Sequence, residues 1–269
     1  MTAVPHSYLF VPGDRPERFA RAAGSGAHRI VLDLEDAVGP DAKEGARAHV
    51  RAWFASGGAG VVRINGADTP WFDADLAALA AFPAAEIMVP KAEPGSLARV
   101  GAILADRPLV ALVETVAGLV DIHAVAASAS VTRLAFGHLD FGVDARMPGP
   151  SATFDPARFE IALASRHAGL APPIDGVTVA LDDEEALAAD VARARNLGFS
   201  AKLCIHPRQV GPVNAAFAPS ADELAWARRI MAAVGESRGS VVQLDKKMVD
   251  KPLVDQARAI LVSASAFDR

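Results

Sequence analysis

Eight short apolar runs recur along the chain with no polar–apolar alternation inside them: Ser7–Val11, Arg29–Leu34, Gly60–Ile64, Glu86–Val89, Leu109–Val113, Arg133–Phe136, Gly176–Val179 and Ala201–Ile205. Runs of this length and pattern suit strands buried on both faces, as in a parallel sheet. Helical spacing fills the intervals, over 15–23, 41–55, 72–81, 95–105, 119–127, 156–167 and 184–197. Strand alternating with helix eight times predicts an α/β fold, a TIM (β/α)8 barrel. The chain has 269 residues, close to the size of about 250 typical of that barrel. A doubly wound open sheet is the competing arrangement, but no Gly-x-Gly-x-x-Gly follows the first strand.

Two closing helices are expected over 207–217 and 222–235, the second with the capping-box spacing Ser220…Glu223. The barrel domain is accordingly set at 1–235. Residues 236–269 are expected to form a polar linker and a helical, lid-like tail, with an amphipathic helix over 252–264.

Charge and cysteine content exclude several partners. Lys and Arg number 27 against 32 Asp and Glu, a net charge of -5, so no basic surplus points to nucleic acid or an anionic membrane. No apolar run approaches the roughly 18 residues of a membrane span. The lone cysteine, Cys204, permits no internal disulfide, and the first residues lack a signal-peptide pattern, so a cytoplasmic setting is expected. Cys204 lies in an apolar run and reads as an inert core thiol.

Two of the runs lead to carboxylates, Glu114 and Asp140. In a parallel barrel the working residues sit where strands end, so the two acids can converge. A small set of hard oxygen ligands suits Mg2+, which keeps waters and takes other ligands from substrate. Each acid taken alone could equally cap the helix that follows it. No histidine or cysteine spacing suggests zinc.

The motifs Val11-Pro12-Gly13-Asp14-Arg15-Pro16-Glu17-Arg18-Phe19 and Val31-Leu32-Asp33-Leu34-Glu35-Asp36-Ala37-Val38 resemble the start of the citrate lyase β-subunit-like (CitE-like) family, within the HpcH/HpaI aldolase and malyl-CoA lyase superfamily. The resemblance continues through Val62-Arg63-Ile64-Asn65, Val89-Pro90-Lys91, Val113-Glu114-Thr115, Gly137-His138-Leu139-Asp140, Lys202–Val210 and Lys247-Met248-Val249-Asp250. It implies a Mg2+-dependent carbon–carbon lyase acting on a short 3-hydroxyacyl-CoA, such as a malyl-, citramalyl- or citryl-thioester, with a 2-keto acid as the other product. By resemblance Glu114 and Asp140 hold the metal, Arg63 binds a substrate carboxylate, and Asp250 supplies an acid from the tail. A homotrimer or a multiple of it is also implied. Lys246 stands where the family pattern has glycine.

Other residues carry two readings each. Glu35 and Asp36 orient water or hold Arg63, or they cap and pack. Lys91 reaches the site, or forms a salt bridge within the barrel. Arg15 and Arg18, at a helix start that favours anions, contact CoA phosphates or form a solvated face. His206 reads as structural, and His138 receives no role. The rival functions are a class II pyruvate-type aldolase without CoA and a citrate lyase β subunit that works only with an acyl carrier protein.

Overall fold

Every one of the eight expected strands exists, though not all where the apolar runs place them. A computed structural model describes residues 4–236, 242–244 and 247–265. The strands are β1 (Ser7–Pro12), β2 (Arg29–Asp33), β3 (Val61–Arg63), β4 (Glu86–Val89), β5 (Leu109–Val113), β6 (Val131–Phe136), β7 (Ala171–Asp175) and β8 (Ala201–Cys204). Each pairs in parallel with the next, and β8 returns to β1, closing a TIM-type barrel. Parallel neighbours need a crossover. It is supplied by α1 (Phe19–Ala23), α2 (Lys43–Ala55), α3 (Phe72–Leu79), α4 (Pro94–Ile103), α5 (Val116–Val120), α6 (Ile122–Ala126), α7 (His138–Asp144), α8 (Asp155–His167) and α9 (Glu184–Asn196). Three further helices follow: α10 (Pro207–Phe217), α11 (Ala221–Glu236) and α12 (Lys251–Ser265).

Strand geometry turns alternate side chains inward. Tyr8, Val31, Val61, Met88, Val110, Leu112, Ala135, Ile174, Ala201 and Leu203 fill the barrel interior, all at most 3% exposed. Burying a large apolar side chain contributes roughly 1.5–3 kcal/mol, so this plug holds the strand ends in place beneath the mouth.

Two elements differ from expectation. The seventh strand is Ala171–Asp175, not Gly176–Val179. Its sequence, Ala-Pro-Pro-Ile-Asp, carries two prolines, which argue against a central strand. The barrel accommodates them because their carbonyls still find donors: Arg133 Nε donates to Pro172 O (2.7 Å) and the Ser200 amide to Pro173 O (3.2 Å). The ladder shifts register opposite them. The second difference is α7, which sequence spacing did not reveal. Asp140 consequently sits in the first turn of a helix, not at a strand end.

By packing, the chain divides into two units. Pro5–Asn214 form the barrel, and a second unit begins at Ala215. In that second unit Ala227 and Ile230 of α11 share a small core with Ala257 of α12. The division therefore falls before α11, where the sequence reading put it at 235. The capping box at the start of α11 is present: the Glu223 amide donates to Ser220 Oγ (3.1 Å) and the Ser220 amide to Glu223 Oε2 (2.7 Å). Within the stretch read as a linker, β9 (Val242–Leu244) and β10 (Lys247–Val249) pair antiparallel. Lys246 lies outside the described residues. Among those residues, no helix is long and apolar enough to cross a membrane.

Candidate active site

The interior plug has a top layer. Two residues beyond Tyr8, Val31, Val61, Leu112, Ala135, Ile174 and Leu203, the same inward direction recurs at Phe10, Asp33, Arg63, Glu114, Gly137, Gly176 and Ile205. All seven line one cavity of about 410 Å3 at the C-terminal mouth of the barrel.

Asp33 and Arg63 are register partners on β2 and β3. Arg63 Nε and Nη2 donate to Asp33 Oδ1 (2.7 Å) and Oδ2 (2.6 Å), a two-pronged charge-assisted pair. The same carboxylate accepts the amides of Glu35 (3.0 Å) and Ala37 (3.2 Å), so it also folds the loop that follows. Arg63 Nη1 donates to Asp36 Oδ2 (3.2 Å) and lies 2.9 Å from Glu35 Oε2 as an ion pair without hydrogen-bond alignment. Of the five guanidinium N–H groups, three donate in these bonds, which leaves one on Nη1, beside Glu35, and one on Nη2. Burial works against this cation, yet Asp33, Glu35 and Asp36 hold it well above the ordinary arginine value.

Glu114 follows β5 and is 2% exposed. Its Oε1 accepts the Lys91 amide (2.8 Å). Gly137 makes room for it: a Cβ there would stand 2.5 Å from Glu114 Oε2. Burial, with Asp140 nearby, pushes the Glu114 carboxyl up to about 7 against the opposing pull of Arg63 and the Lys91 amide. Burial likewise lifts Glu35 to about 8, with Arg63 opposing and Glu114, Asp36 and Asp33 adding to the rise. Asp140 projects from the first turn of α7 and lines the cavity beside Glu114.

The charge at the mouth is unbalanced. Asp33, Glu35, Asp36, Glu114 and Asp140 gather around Arg63. Burial, with Asp140 and Asp36 adding to it, holds Glu114 near 7 although Arg63 pulls the other way. Among the described residues no group of three or more His, Cys, Asp or Glu is placed to hold a metal. Two carboxylates on an open cavity nevertheless fit Mg2+, which retains waters and needs few protein ligands.

Comparisons with known proteins bear on this geometry. Residues 6–207 match the family model HpcH/HpaI aldolase/citrate lyase. The chain belongs to that family. It is 34% identical over 97% of its length to the (3S)-malyl-CoA thioesterase of Cereibacter sphaeroides, covering 95% of that protein. It is 37% identical, again over 97%, to the citrate lyase subunit beta-like protein of Mycobacterium tuberculosis, covering 96% of it. Among solved structures, CitE from M. tuberculosis in complex with magnesium, acetoacetate and coenzyme A aligns with a TM-score of 0.84 at 34% identity, covering 98% of both chains.

Not every residue expected at the site of this family member reaches the cavity. Arg63, Glu114, Asp140 and Asp36 line it, and Glu35 stands behind, against Arg63. Lys91 contributes only its backbone N–H. Its side chain is exposed, does not line the cavity and makes none of the ion pairs found among the described residues, and its backbone has φ 44°. Arg15 is exposed, 3.9 Å from Asp14, and is likewise absent from the lining. Asp250 belongs to the second unit, where its Oδ1 accepts the Leu253 amide (3.3 Å) and caps α12. Cys204 is buried and its thiol is pushed up to about 12 by burial, the inert state expected of it.

Sequence reasoning missed three residues. Asp33 was quoted within its motif without a role, although its period-two spacing from an interior position marks it as inward. Lys43 is buried, and its ammonium donates to Leu34 O (2.7 Å), Glu35 O (2.7 Å) and Asn65 Oδ1 (2.6 Å), clasping the loops after β2 and β3. Nothing in its helical spacing signals this. The third is His138, buried in the cavity wall.

Proposed function

We propose that this protein is a Mg2+-dependent carbon–carbon lyase that cleaves, or forms, a short 3-hydroxyacyl-CoA of the malyl-, citramalyl- or citryl-type through an enolate. The observation that carries the reading is the convergence of Glu114, Asp140 and Arg63 on one cavity. The M. tuberculosis CitE structure in complex with magnesium, acetoacetate and coenzyme A, which covers 98% of this chain, supports it. Glu114 and Asp140 would hold Mg2+, which, when bound, supplies positive charge where a keto acid or enolate oxygen turns negative, an effect of several kcal/mol.

The chain's own residues do the rest. Asp33, with Glu35 and Asp36, locks the Arg63 plane before substrate arrives, so the spare Nη2–H meets a substrate carboxylate already oriented. Phe10, Leu112 and Leu203 form an apolar floor that keeps water from the reacting carbon. Asp250 is assigned as the proton carrier, working in a homo-oligomer built on trimers. Arg15, on the rim side of β1, is assigned to CoA phosphates.

A second reading, thioester hydrolysis, follows from the relative named (3S)-malyl-CoA thioesterase. One experiment separates the two. Malyl-, citramalyl- and citryl-CoA are each incubated with the purified chain and Mg2+, and keto acid and free thiol are recorded in parallel. Keto acid without thiol is the lyase outcome, and thiol without keto acid is hydrolysis. Turnover only of an acyl-carrier-protein thioester would make the chain a citrate lyase β subunit. Cleavage of free hydroxy-keto acids alone would make it a pyruvate-type aldolase.

A further inference from the structure

His138 opens α7 and lines the cavity although only 6% of its surface is exposed. Its two ring nitrogens face different surroundings. Nδ1 is sealed from solvent and has no hydrogen-bond partner. It lies over Gly176, where even a methyl group would collide with it. Phe136 and Phe154 flank the ring, each 6.3 Å away between centroids. That leaves Nε2 as the polar atom through which the ring meets the cavity. A buried donor without an acceptor is a rarer orphan than a buried acceptor without a donor. The proton is therefore assigned to Nε2, which makes His138 an uncharged N–H donor.

The cavity itself is lopsided. Strands β2 and β3 bring Asp33, Asp36 and Arg63 to one side. Strands β7 and β8 bring Gly176, Val177, Leu203 and Ile205 to the lining, with no charged group among these four. Among the described residues that line the cavity, only the Arg63 and His138 side chains carry an N–H. A guanidinium suits a carboxylate. A neutral N–H suits an uncharged oxygen, and gains most when that oxygen turns negative in a water-poor site.

We propose that His138 Nε2–H donates to the thioester carbonyl oxygen of the acyl group, the atom on which enolate charge collects. The assignment rests on the lyase reading. In cleavage the hydroxyl loses its proton and becomes the keto acid's carbonyl, and the electron pair of the carbon–carbon bond moves into the enolate. The enolate carbon then takes up a proton to give the acyl-CoA. His138 keeps its own proton throughout and acts by hydrogen bonding.

The test compares His138→Leu with His138→Gln, which retains an N–H donor, on whichever acyl-CoA the wild type turns over. The leucine variant should lose about 100-fold in kcat with KM within about threefold, and glutamine should recover about tenfold of that loss. Deuterium exchange at the acyl-CoA α-carbon, followed by NMR, should slow in parallel. Pyruvate binding with Mg2+, measured by calorimetry, should stay unchanged. An unaltered kcat, a loss confined to KM, glutamine no better than leucine, or pyruvate binding lost alongside would each overturn the assignment. If the leucine variant does not fold, His138→Ala, which only removes atoms, carries the same comparison. A wild type that turns over no acyl-CoA would bring down the lyase reading and this assignment with it. Normal wild-type turnover with an unaffected variant would bring down this assignment alone.

Discussion

Two arginines are buried at opposite ends of the same barrel. Arg63 ends β3 at the mouth and is 8% exposed; Arg133 lies near the start of β6 and is 3% exposed. Arg133 donates to Pro172 O (2.7 Å), Pro5 O (2.7 Å), Tyr8 Oη (3.2 Å) and Ser200 Oγ (2.8 Å), all uncharged acceptors. Burial accordingly holds its guanidinium below the ordinary arginine value. Arg63 is surrounded by carboxylates, faces a cavity and is held above that value. Burial of a charged group therefore does not mark a site by itself. At one end the cation is a clip that joins chain segments through neutral oxygens. At the other it sits in a surplus of negative charge that a further cation would balance.

The sharpest way to break this contrast is to remove the surplus. Glu114→Ala or Asp140→Ala should lower Mg2+-dependent turnover by at least about 1000-fold, with Mg2+ binding by calorimetry lost in step. Normal activity in both variants would end the metal assignment. Next in size, Arg63→Lys keeps the charge but not the planar fork. It should cut kcat/KM about 100-fold, near 3 kcal/mol, while thermal unfolding changes little.

Arg133→Met should do the reverse. Orphaning four acceptors, among them the buried Tyr8 hydroxyl, should cost about 2–4 kcal/mol of stability, read by denaturant titration, while each folded molecule keeps its turnover. If Arg133→Met abolished turnover in folded protein, the division into clip and site would be wrong. The smallest effect is a pH dependence. Glu114 titrates near 7, above its ordinary value, so below that pH it holds a proton that a cation must displace. Mg2+ affinity should rise about tenfold per pH unit up to 7 and then level off. In Glu114→Gln the slope should vanish.

Much of this was readable from the chain alone. Strand-length apolar runs exposed the parallel barrel because strands buried on both faces need no polar alternation. Glu114 and Asp140 stood out because each follows such a run, and Arg63 stood out through the motif resemblance. Failures came where local preference and tertiary context disagree. Ala171–Asp175 looked unlike a strand because of its prolines, and Gly176–Val179 looked like one although Val177 lines the cavity and Val179 is 61% exposed. Lys91 was placed at the site by its position after a strand, but position does not determine where a long side chain points.

Sequence by itself determined the alternation of strand and helix, the family motifs and the residue types at the strand ends, because these are properties of neighbours along the chain. Closure of the barrel determined what those residues do. Only when β8 meets β1 do Phe10, Asp33, Arg63, Glu114, Gly137 and Ile205 share one layer. Only then does Asp33 grip Arg63, Lys43 clasp the loops and His138 line the cavity. Those contacts join residues far apart in the chain, and their energies depend on burial that exists only once the ring has closed.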